Sequence, residues 1–307
     1  MGHGEGNNHR DSPGIGLLSG RLSTRRRAAA ATPASSRRQT ASRSNSWSNR
    51  ISFEESFRIL RSNLDVALSD IERPLVIVTS SKADEGKTVI CTKLAASFAQ
   101  AGQRVVLVDL DLRHSTAHRL LRTHNEFGVS DVLLGRRTLP ESIQRLELRD
   151  GRGRGPRSLY FLGTGPAVQN PTELLGSSRT VRLLDGLRQQ ADLVLLDTPP
   201  VLPVADTLVI GRMASGAVLV VETRTTAFGA VEQSKDLLIR NQTRLLGVVM
   251  NKFQSRDADS AYGYYGYGYG TPFVQDEDSL DDDDLNLDTL VARESPSSNG
   301  HGFDASH

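Results

Sequence analysis

Residues 75–88 read LVIVTSSKADEGKT, an apolar run followed by a polar loop that ends in Gly-Lys-Thr. The loop has the pattern S-x-x-x-x-G-K-T, which is the Walker A pattern with Ser81 in place of the first glycine. Gly86 lets the backbone approach a phosphate closely, and the N–H groups that open the following helix attract anions. Lys87 can reach the β- and γ-phosphates, and the Thr88 hydroxyl can bind Mg²⁺. The stretch therefore predicts a strand, a phosphate-binding loop and a helix, with ATP and Mg²⁺ as ligands.

The other residues of the loop and of the first helical turn complete the predicted nucleotide-binding set, which adds Ser81, Lys82, Asp84, Glu85 and Val89. Two carboxylates inside a phosphate-binding loop would repel the anion. We therefore expect Asp84 and Glu85 to point outward to water.

Further apolar runs indicate the fold around this loop. With Leu75–Thr79, the predicted strands are Val105–Asp109, Leu193–Asp197, Ala217–Val221 and Leu245–Asn251. Each is almost continuously apolar, which is typical of strands that are covered on both faces in a parallel sheet. Helical patterns lie between them, at Glu54–Leu68, Thr88–Ala101, Thr180–Gln190, Thr207–Met213 and Val231–Asn241. The alternation predicts an α/β fold of the P-loop NTPase type, a three-layer sandwich with a doubly wound, mostly parallel sheet between helices.

Two of the predicted strands end in acidic residues. Asp109 and Asp111 belong to the sequence D-L-D-L-R at 109–113, and Asp197 opens D-T-P-P at 197–200. Because strand side chains alternate, we expect Asp109 and Asp111 to face the same way, where they suit Mg²⁺ or a metal with a general base. An apolar strand that ends in aspartate is by itself more often a capped turn. Following a phosphate loop, the two strands predict an ATP–Mg²⁺ site.

Charge divides the chain into unlike parts. Residues 1–50 have a net charge of +7, and residues 275–307 have a net charge of −9. Both ends are poor in apolar runs, so burial cannot offset the entropy of ordering them. We expect a disordered basic arm (1–50), one folded domain (51–259), a flexible tyrosine segment (260–270) and a disordered acidic tail (271–307).

Composition excludes several classes of protein. Cys91 is the only cysteine, which excludes a disulfide scaffold and a cysteine-based zinc site. No stretch of about 18 residues is apolar enough to predict a membrane-spanning helix, and the N-terminus lacks the apolar region of a secretory signal. We expect a cytoplasmic protein, with an organellar transit peptide as the alternative for the Arg- and Ser-rich arm.

His114 and His118 lie four residues apart but have no third ligand nearby, so we expect an ordinary surface pair.

Five of the six tyrosines lie in one glycine-rich stretch, at Tyr262, Tyr264, Tyr265, Tyr267 and Tyr269. Glycine at nearly every second position disfavours both helix and strand, so the phenols should be accessible. A phenol with a pKa near 10 needs a carboxylate to take its proton before it can be phosphorylated at neutral pH. The alternative is a low-complexity aromatic segment that stacks on RNA or forms condensates.

In this order, the phosphate loop, the two acidic strands and the tyrosine cluster resemble those of the bacterial tyrosine kinases (BY-kinases). These are autokinases of capsule and exopolysaccharide systems with a P-loop ATPase fold. The similarity extends from about Glu54 to Gly270 and includes N-P-T-E-L-L at 170–175, which is similar to the family's N-P-S-E-L-L. Glu55, Arg58 and Arg61 match the family's E-x-x-R-x-x-R element, which mediates ring-shaped self-association; otherwise they form a solvated helix face.

The resemblance implies a role for each site residue. Lys87 and the loop backbone hold ATP. Thr88, Asp111 and Asp197 organise Mg²⁺. Asp109 is the base that deprotonates the incoming tyrosine, and Asn251 lies where related proteins contact adenine. The tyrosines of one subunit are phosphorylated in trans by a neighbour, which regulates polysaccharide synthesis and export.

The resemblance also implies partners. These are other copies of the chain in a ring and a cognate phosphotyrosine phosphatase. The third is a separate membrane-embedded polysaccharide chain-length regulator, which activates the kinase and recruits it to the inner face of the plasma membrane.

The family's loop usually has Pro-Gly where this chain has Ala83-Asp84, a difference that bears on ATP affinity. The basic arm and the acidic tail are also unusual in the family. The alternatives for the arm are contact with anionic lipid, with nucleic acid or with a neighbour's acidic tail, or no partner at all; nucleic acid is the one that we do not expect.

Two other functions fit part of the pattern. A ParA/MinD-type positioning ATPase shares the fold, and Lys82 falls where that family has its signature lysine, but its loop is normally glycine-rich and it needs no tyrosine cluster. A non-catalytic, nucleotide-gated scaffold of the polysaccharide machinery is the second alternative.

Overall fold

Eight strands form one sheet within the residues that the computed structural model describes, which are 54–148, 157–253 and 290–291. The strands are β1 (Leu75–Ser80), β2 (Val105–Asp109), β3 (Gln144–Leu148), β4 (Arg157–Leu162), β5 (Leu193–Asp197), β6 (Gly216–Glu222), β7 (Leu245–Asn251) and β8 (Leu290–Val291). They lie side by side in the order β7-β6-β1-β5-β2-β4-β3-β8. The first six in this order pair parallel, whereas β3 pairs antiparallel with both β4 and β8.

Helices connect and cover these strands. In the described part of the chain they are α1 (54–67), α2 (Lys87–Gln100), α3 (Ala117–Leu120), α4 (Val129–Leu134), α5 (Leu139–Ser142), α6 (Pro171–Leu175), α7 (Ser178–Gln190), α8 (Asp206–Gly211) and α9 (Phe228–Arg240). The five helices predicted from the sequence correspond to α1, α2, α7, α8 and α9. The sequence did not predict the other four, which have only four to six residues.

Two hydrophobic layers cover the two faces of the sheet. Alternate residues of β1 divide between them, since Val76 and Val78 join one cluster of buried side chains and Leu75 and Ile77 join the other. The first cluster includes buried residues of α1 and α2, and the second includes residues of α4, α7, α8 and α9. The predicted three-layer sandwich is therefore confirmed.

All five predicted strands are present, but the sequence did not predict β3, β4 or β8. β3 reads QRLEL and β4 reads RSLYFL, so polar side chains interrupt both runs. Continuous apolar runs indicate strands that are buried on both faces, whereas the antiparallel hairpin of β3 and β4 at the side of the sheet is only partly buried.

The prediction that every strand is covered on both faces is wrong for β7. Among the described strands, β7 lies at the edge of the sheet and pairs only with β6. Val248 and Met250 retain 47% and 53% of their accessible surface. The apolar composition of β7 therefore does not reflect burial against the described part of the chain.

Some predictions fall on residues outside the described ranges. These are the basic arm (1–50), the tyrosine segment (260–270) and the acidic tail, of which only β8 is described. None of the described helices combines the length and the apolar character needed to cross a membrane.

Candidate active site

The phosphate loop lies between β1 and α2, at the carboxyl edge of the sheet. α2 begins at Lys87, directly after Gly86, whose φ is +87°. A Cβ atom at Gly86 would lie 2.1 Å from Nδ2 of Asn251, so both the backbone angle and the close approach require glycine. The free N–H groups and the dipole at the start of α2 favour an anion.

Ser81 occupies the position of the first Walker A glycine without exposing its hydroxyl. The side chain is fully buried, and its oxygen accepts a hydrogen bond of 2.9 Å from the Ser234 hydroxyl in α9. The serine therefore joins the loop to α9. Of the other predicted loop residues, Lys82 is exposed and Val89 is half-buried in the first turn of α2.

The prediction for the two loop carboxylates is right for Asp84 and wrong for Glu85. Asp84 is exposed, with a φ of 63°. Glu85 is only 2% exposed and points into the protein. Its carboxylate accepts one hydrogen bond of 2.9 Å from the Lys82 N–H and another from the Thr226 hydroxyl. These donors compensate for the lost hydration of Glu85, and a count of charges in the loop could not reveal them.

The end of β7 also contacts the loop. Nδ2 of Asn251 donates to the Glu85 carbonyl at 2.9 Å, and Nζ of Lys252 donates to the Asp84 carbonyl at 2.9 Å. Lys252 also forms an ion pair of 3.0 Å with Glu222 at the end of β6. Asn251 thus lies beside the loop, and its contact with adenine stays a prediction.

The predicted acidic residues meet next to Lys87. β2 and β5 are neighbours in the sheet, and Asp109 lies directly opposite Asp197 in their register. Nζ of Lys87 is 3.0 Å from Oδ2 of Asp111 and 3.3 Å from the Thr88 hydroxyl oxygen. β2 ends at Asp109, so Asp111 lies in the following turn and strand alternation does not set its direction. The ion pair with Lys87 therefore positions Asp111, which follows the end of β2.

Asp197 has an unusual environment for a buried carboxylate. Its side chain is 1% exposed, and neither carboxylate oxygen has a hydrogen-bond partner. Buried polar atoms in proteins are nearly always hydrogen-bonded, so these unsatisfied oxygens suit a cation as their partner. Burial raises the pKa of Asp197 to about 6, although the positive charge of Lys87 opposes the rise.

The charges around Lys87 are unbalanced. Three buried carboxylates, those of Asp109, Asp111 and Asp197, surround a single lysine. Burial, with the nearby charge of Asp197, raises the pKa of Asp109 to about 8. Burial alone would lower the pKa of Lys87, but the charges of the three carboxylates outweigh it and raise that pKa.

These residues fit a divalent cation that is shared with phosphate. No group of three or more His, Cys, Asp or Glu side chains in the described ranges forms a cage for a metal by itself. Mg²⁺ usually takes one or two carboxylates and completes its shell with water and substrate phosphates. The unsatisfied oxygens of Asp197, with Asp111 and the Thr88 hydroxyl, suit that mode of binding.

Two residues that the sequence did not assign to the site extend it beyond Asp109: Ser115 contacts Asp109, and His118 contacts Ser115. The Ser115 hydroxyl donates to Oδ2 of Asp109 at 2.8 Å, and Nδ1 of His118 is 3.0 Å from the same hydroxyl. The prediction of an ordinary surface pair is therefore wrong for His118, which is half-buried, whereas His114 is exposed. The spacing from Asp109 gave no signal, because the turn after β2 is what brings Ser115 back to it.

Arg113 joins parts of the fold and does not contact the carboxylates around Lys87. Its guanidinium binds both carboxylate oxygens of the buried Asp206, at 2.8 and 3.1 Å, and contacts the Thr172 hydroxyl at 3.0 Å. Thr172 also donates to Asp206. The arginine of D-x-D-x-R thus joins the turn after β2 to the N-P-T-E-L-L segment and to α8.

The three residues proposed for self-association separate into two environments. Glu55 and Arg58 form an ion pair of 2.8 Å on α1, with half-exposed side chains. Arg61 instead donates to the Ser97 carbonyl of α2 at 2.8 Å and so holds α1 against the domain. The five clustered tyrosines lie outside the described residues.

Comparison with known proteins finds a matching family and several relatives of this chain. The CobQ/CobB/MinD/ParA nucleotide-binding domain family matches residues 76–263. The tyrosine-protein kinase YwqD of Bacillus subtilis is 34% identical over 212 residues, which cover 69% of this chain and 86% of YwqD. The tyrosine-protein kinase etk of Escherichia coli is 34% identical over 210 residues, 68% of this chain, but the match spans only 28% of etk.

The fold is similar to that of a solved kinase domain. The structure of the kinase domain of Escherichia coli tyrosine kinase ETK superposes with a TM-score of 0.59 and 31% sequence identity. The match covers 70% of this chain and 80% of that domain. The similarity in fold therefore extends over more than two thirds of this chain.

Proposed function

The chain belongs to the bacterial tyrosine-protein kinases, within the CobQ/CobB/MinD/ParA nucleotide-binding family, and we propose that it transfers the γ-phosphate of ATP to tyrosines of neighbouring copies of itself. The observation that carries the proposal is the position of Lys87, at the start of the phosphate-binding helix and 3.0 Å from Asp111. The lysine joins the predicted phosphate site to the carboxylates that suit a metal.

The residues of this chain divide the binding of ATP between them. The loop N–H groups and Lys87 hold the phosphates, while Thr88, Asp111 and Asp197 hold Mg²⁺. Bound Mg²⁺ supplies positive charge that offsets the charge on the phosphates. Lys87 must exchange its contact with Asp111 for one with phosphate, and its pKa, raised by the three carboxylates, keeps it charged for that contact.

Asp109 is the proposed base. A tyrosine phenol has a pKa near 10, so its oxygen becomes a good nucleophile only as a neighbouring group takes the proton. Burial and the charge of Asp197 raise the pKa of Asp109 to about 8, which makes its carboxylate a stronger proton acceptor than an exposed aspartate. A cation at Asp197 reduces the repulsion that the second carboxylate exerts and favours the ionised form of Asp109.

The proposed acceptors are Tyr262, Tyr264, Tyr265, Tyr267 and Tyr269. Glu55, Arg58 and Arg61 contribute to the self-association that brings one copy's tyrosines to another copy's site. Phosphorylation adds nearly two negative charges per tyrosine, so a fully modified cluster repels itself and loosens the assembly. The proposed role is control of capsule or exopolysaccharide export at the cytoplasmic face of the plasma membrane, with a membrane-embedded chain-length regulator as activator and a phosphatase that reverses the modification.

The test compares tyrosine labelling of the full-length wild type and three variants, each incubated with ATP and Mg²⁺. Wild type should gain phosphotyrosine, and Lys87→Met should not. The variant with phenylalanine at positions 262, 264, 265, 267 and 269 should bind ATP but gain no label. Tyr160→Phe, which changes the sixth tyrosine in β4, is the matched control and should label like wild type.

Three outcomes would contradict parts of this proposal. Released phosphate without labelled protein would favour a positioning ATPase. Polymer output that survives Lys87→Met in cells would favour a non-catalytic scaffold. Undiminished labelling in the quintuple variant would place the acceptor outside the cluster.

A further inference from the structure

The hydrogen bonds around Asp109 continue beyond the residues assigned to ATP and Mg²⁺. Oδ1 of Asp109 accepts the Asp111 N–H at 3.1 Å, and Oδ2 accepts the Ser115 hydroxyl at 2.8 Å. The carboxylate is fully buried, so these two donors fix its rotation about the side-chain bonds. The backbone supplies the first donor, whereas the second depends on where a single hydroxyl hydrogen points.

His118 lies where it can decide that direction. Its Nδ1 is 3.0 Å from the Ser115 oxygen. If Nδ1 is an unprotonated acceptor, it competes with Asp109 for the one hydrogen of Ser115. If Nδ1 carries a hydrogen, it donates to the Ser115 oxygen and leaves the Ser115 hydrogen to Asp109.

An ionised Asp109 selects between these two arrangements. A carboxylate only accepts hydrogen bonds, so Ser115 must donate to it and His118 must donate to Ser115. Burial and the charge of Arg119 lower the pKa of His118, which keeps the imidazole neutral, with one N–H. The chain of contacts then requires that N–H on Nδ1.

We propose that His118, as the Nδ1–H tautomer, is a positioning residue that acts through Ser115 to aim the Asp109 carboxylate at the incoming tyrosine. The inference rests on the proposed function, because it assigns Asp109 as the base. It goes beyond that function by extending the site to two residues that contact neither ATP nor Mg²⁺ in the arrangement proposed above. Their effect should appear in the rate of transfer and not in the binding of nucleotide.

The tautomer can be measured directly in the full-length protein at about pH 9, where Asp109, whose pKa is about 8, is ionised. Long-range ¹H–¹⁵N spectra of a sample labelled at histidine distinguish a protonated Nδ1 from a protonated Nε2, and the His118→Asn variant assigns the signal. The proposal expects Nδ1 to carry the hydrogen. A bare Nδ1 with the hydrogen on Nε2 would overturn it.

Kinetics then test the effect on transfer. Ser115→Ala should slow initial tyrosine labelling by about tenfold, the size expected for losing one hydrogen bond to a charged group, with ATP affinity unchanged within about twofold. Ser115→Thr keeps the hydroxyl and should label at nearly the wild-type rate. His118→Leu should slow labelling by about fivefold, and His118→Asn, whose amide can donate from a position near Nδ1, should restore most of the rate.

Two controls separate positioning from general damage. His114→Leu changes the exposed neighbour in the same turn, whose side chain is not part of the chain of contacts, and should leave the rate unchanged. The double variant Ser115→Ala/His118→Leu should be no slower than Ser115→Ala alone, because His118 acts through Ser115. Multiplied losses in the double variant, or a fall in ATP affinity equal to the fall in rate, would overturn the proposal.

Asp109→Asn distinguishes the two levels of inference. If Asp109→Asn labels at the wild-type rate, Asp109 is not the base and that part of the proposed function fails. If Asp109→Asn abolishes labelling while Ser115→Ala and His118→Leu do not slow it, the proposed function stands and the positioning role is wrong.

Discussion

At the scale of single residues, the site is built from charges that the fold holds together before any ligand arrives. Asp109 and Asp197 lie side by side because β2 pairs with β5, and both are buried. Proteins rarely bury two carboxylates beside each other unless a cation or a proton compensates. The stability of the ligand-free protein should therefore depend on protons at this site.

We predict that Asp109 lowers the stability of the metal-free protein as pH rises. Its pKa of about 8 in the folded protein lies above the value near 4 of an unfolded chain. The folded state therefore holds the proton more tightly, and its stabilisation, complete below pH 4, is lost progressively up to about pH 8. Asp109→Asn removes this dependence.

Thermal unfolding with EDTA at pH 5 and pH 8 checks the prediction. The melting temperature of Asp109→Asn relative to wild type should be higher at pH 8 than at pH 5. The difference between the two proteins cancels the contributions of titrating groups that do not interact with Asp109. A difference that does not change with pH would show that Asp109 is not destabilised by its charge.

Glu85 gives a second prediction at this scale. Its carboxylate holds the Lys82 N–H and the Thr226 hydroxyl, so Glu85→Ala should lower the free energy of unfolding by about 1–3 kcal/mol. Asp84→Asn changes the adjacent exposed carboxylate to a residue that tolerates positive φ, and it should cost less than about 0.5 kcal/mol. Urea denaturation measures both, and equal losses would mean that the contacts of Glu85 contribute nothing.

At the scale of secondary-structure elements, the packing of α1 shows that the two arginines of one sequence motif have different contacts. The spacing of E-x-x-R-x-x-R predicts one charged face. In the structure, Arg58 pairs along the helix with Glu55, whereas Arg61 crosses to the backbone of α2. Only the packing of α1 on α2 separates the two arginines.

The two arginines should therefore respond differently to replacement. Arg61→Ala should lower the melting temperature by about 2–4 °C, since it loses a hydrogen bond worth about 1 kcal/mol. Arg58→Ala loses only exposed ion pairs, with Glu54 and Glu55, and should change the melting temperature by less than about 1 °C. If α1 mediates self-association, Arg58→Ala should still reduce the assembly's mass in light scattering. Identical thermal losses for both variants would contradict the separation of roles.

At the scale of the whole molecule, the sequence predicts the buried part of the fold best. Continuous apolar runs and the Gly-Lys-Thr motif locate β1, β2, β5, β6 and α2, and these elements bring Lys87, Asp109 and Asp197 together. The sequence does not predict the hairpin of β3 and β4, because its strands contain polar residues that are also typical of loops. The exposed β7 is misjudged because hydrophobicity alone does not distinguish an edge strand from a central one.

The sequence also predicts only part of the candidate site. Residues that carry a motif are found, but contacts that depend on a turn or on a distant element are not. Glu85 turns inward because Thr226, 141 positions later, donates to it. Ser115 reaches Asp109, and His118 reaches Ser115, only because the chain folds back after β2.

Mixing two inactive variants tests the central claim most directly. Lys87→Met has intact tyrosines but no phosphate-binding lysine, and the variant with phenylalanine at 262, 264, 265, 267 and 269 has an intact site but no clustered acceptor. After incubation of the mixture with ATP and Mg²⁺, mass spectrometry should find phosphate on residues 262–269 of the Lys87→Met chain. If wild type labels these tyrosines and the mixture leaves them unmodified, transfer between copies is contradicted; if neither sample is labelled while phosphate is released, the chain is not a tyrosine kinase.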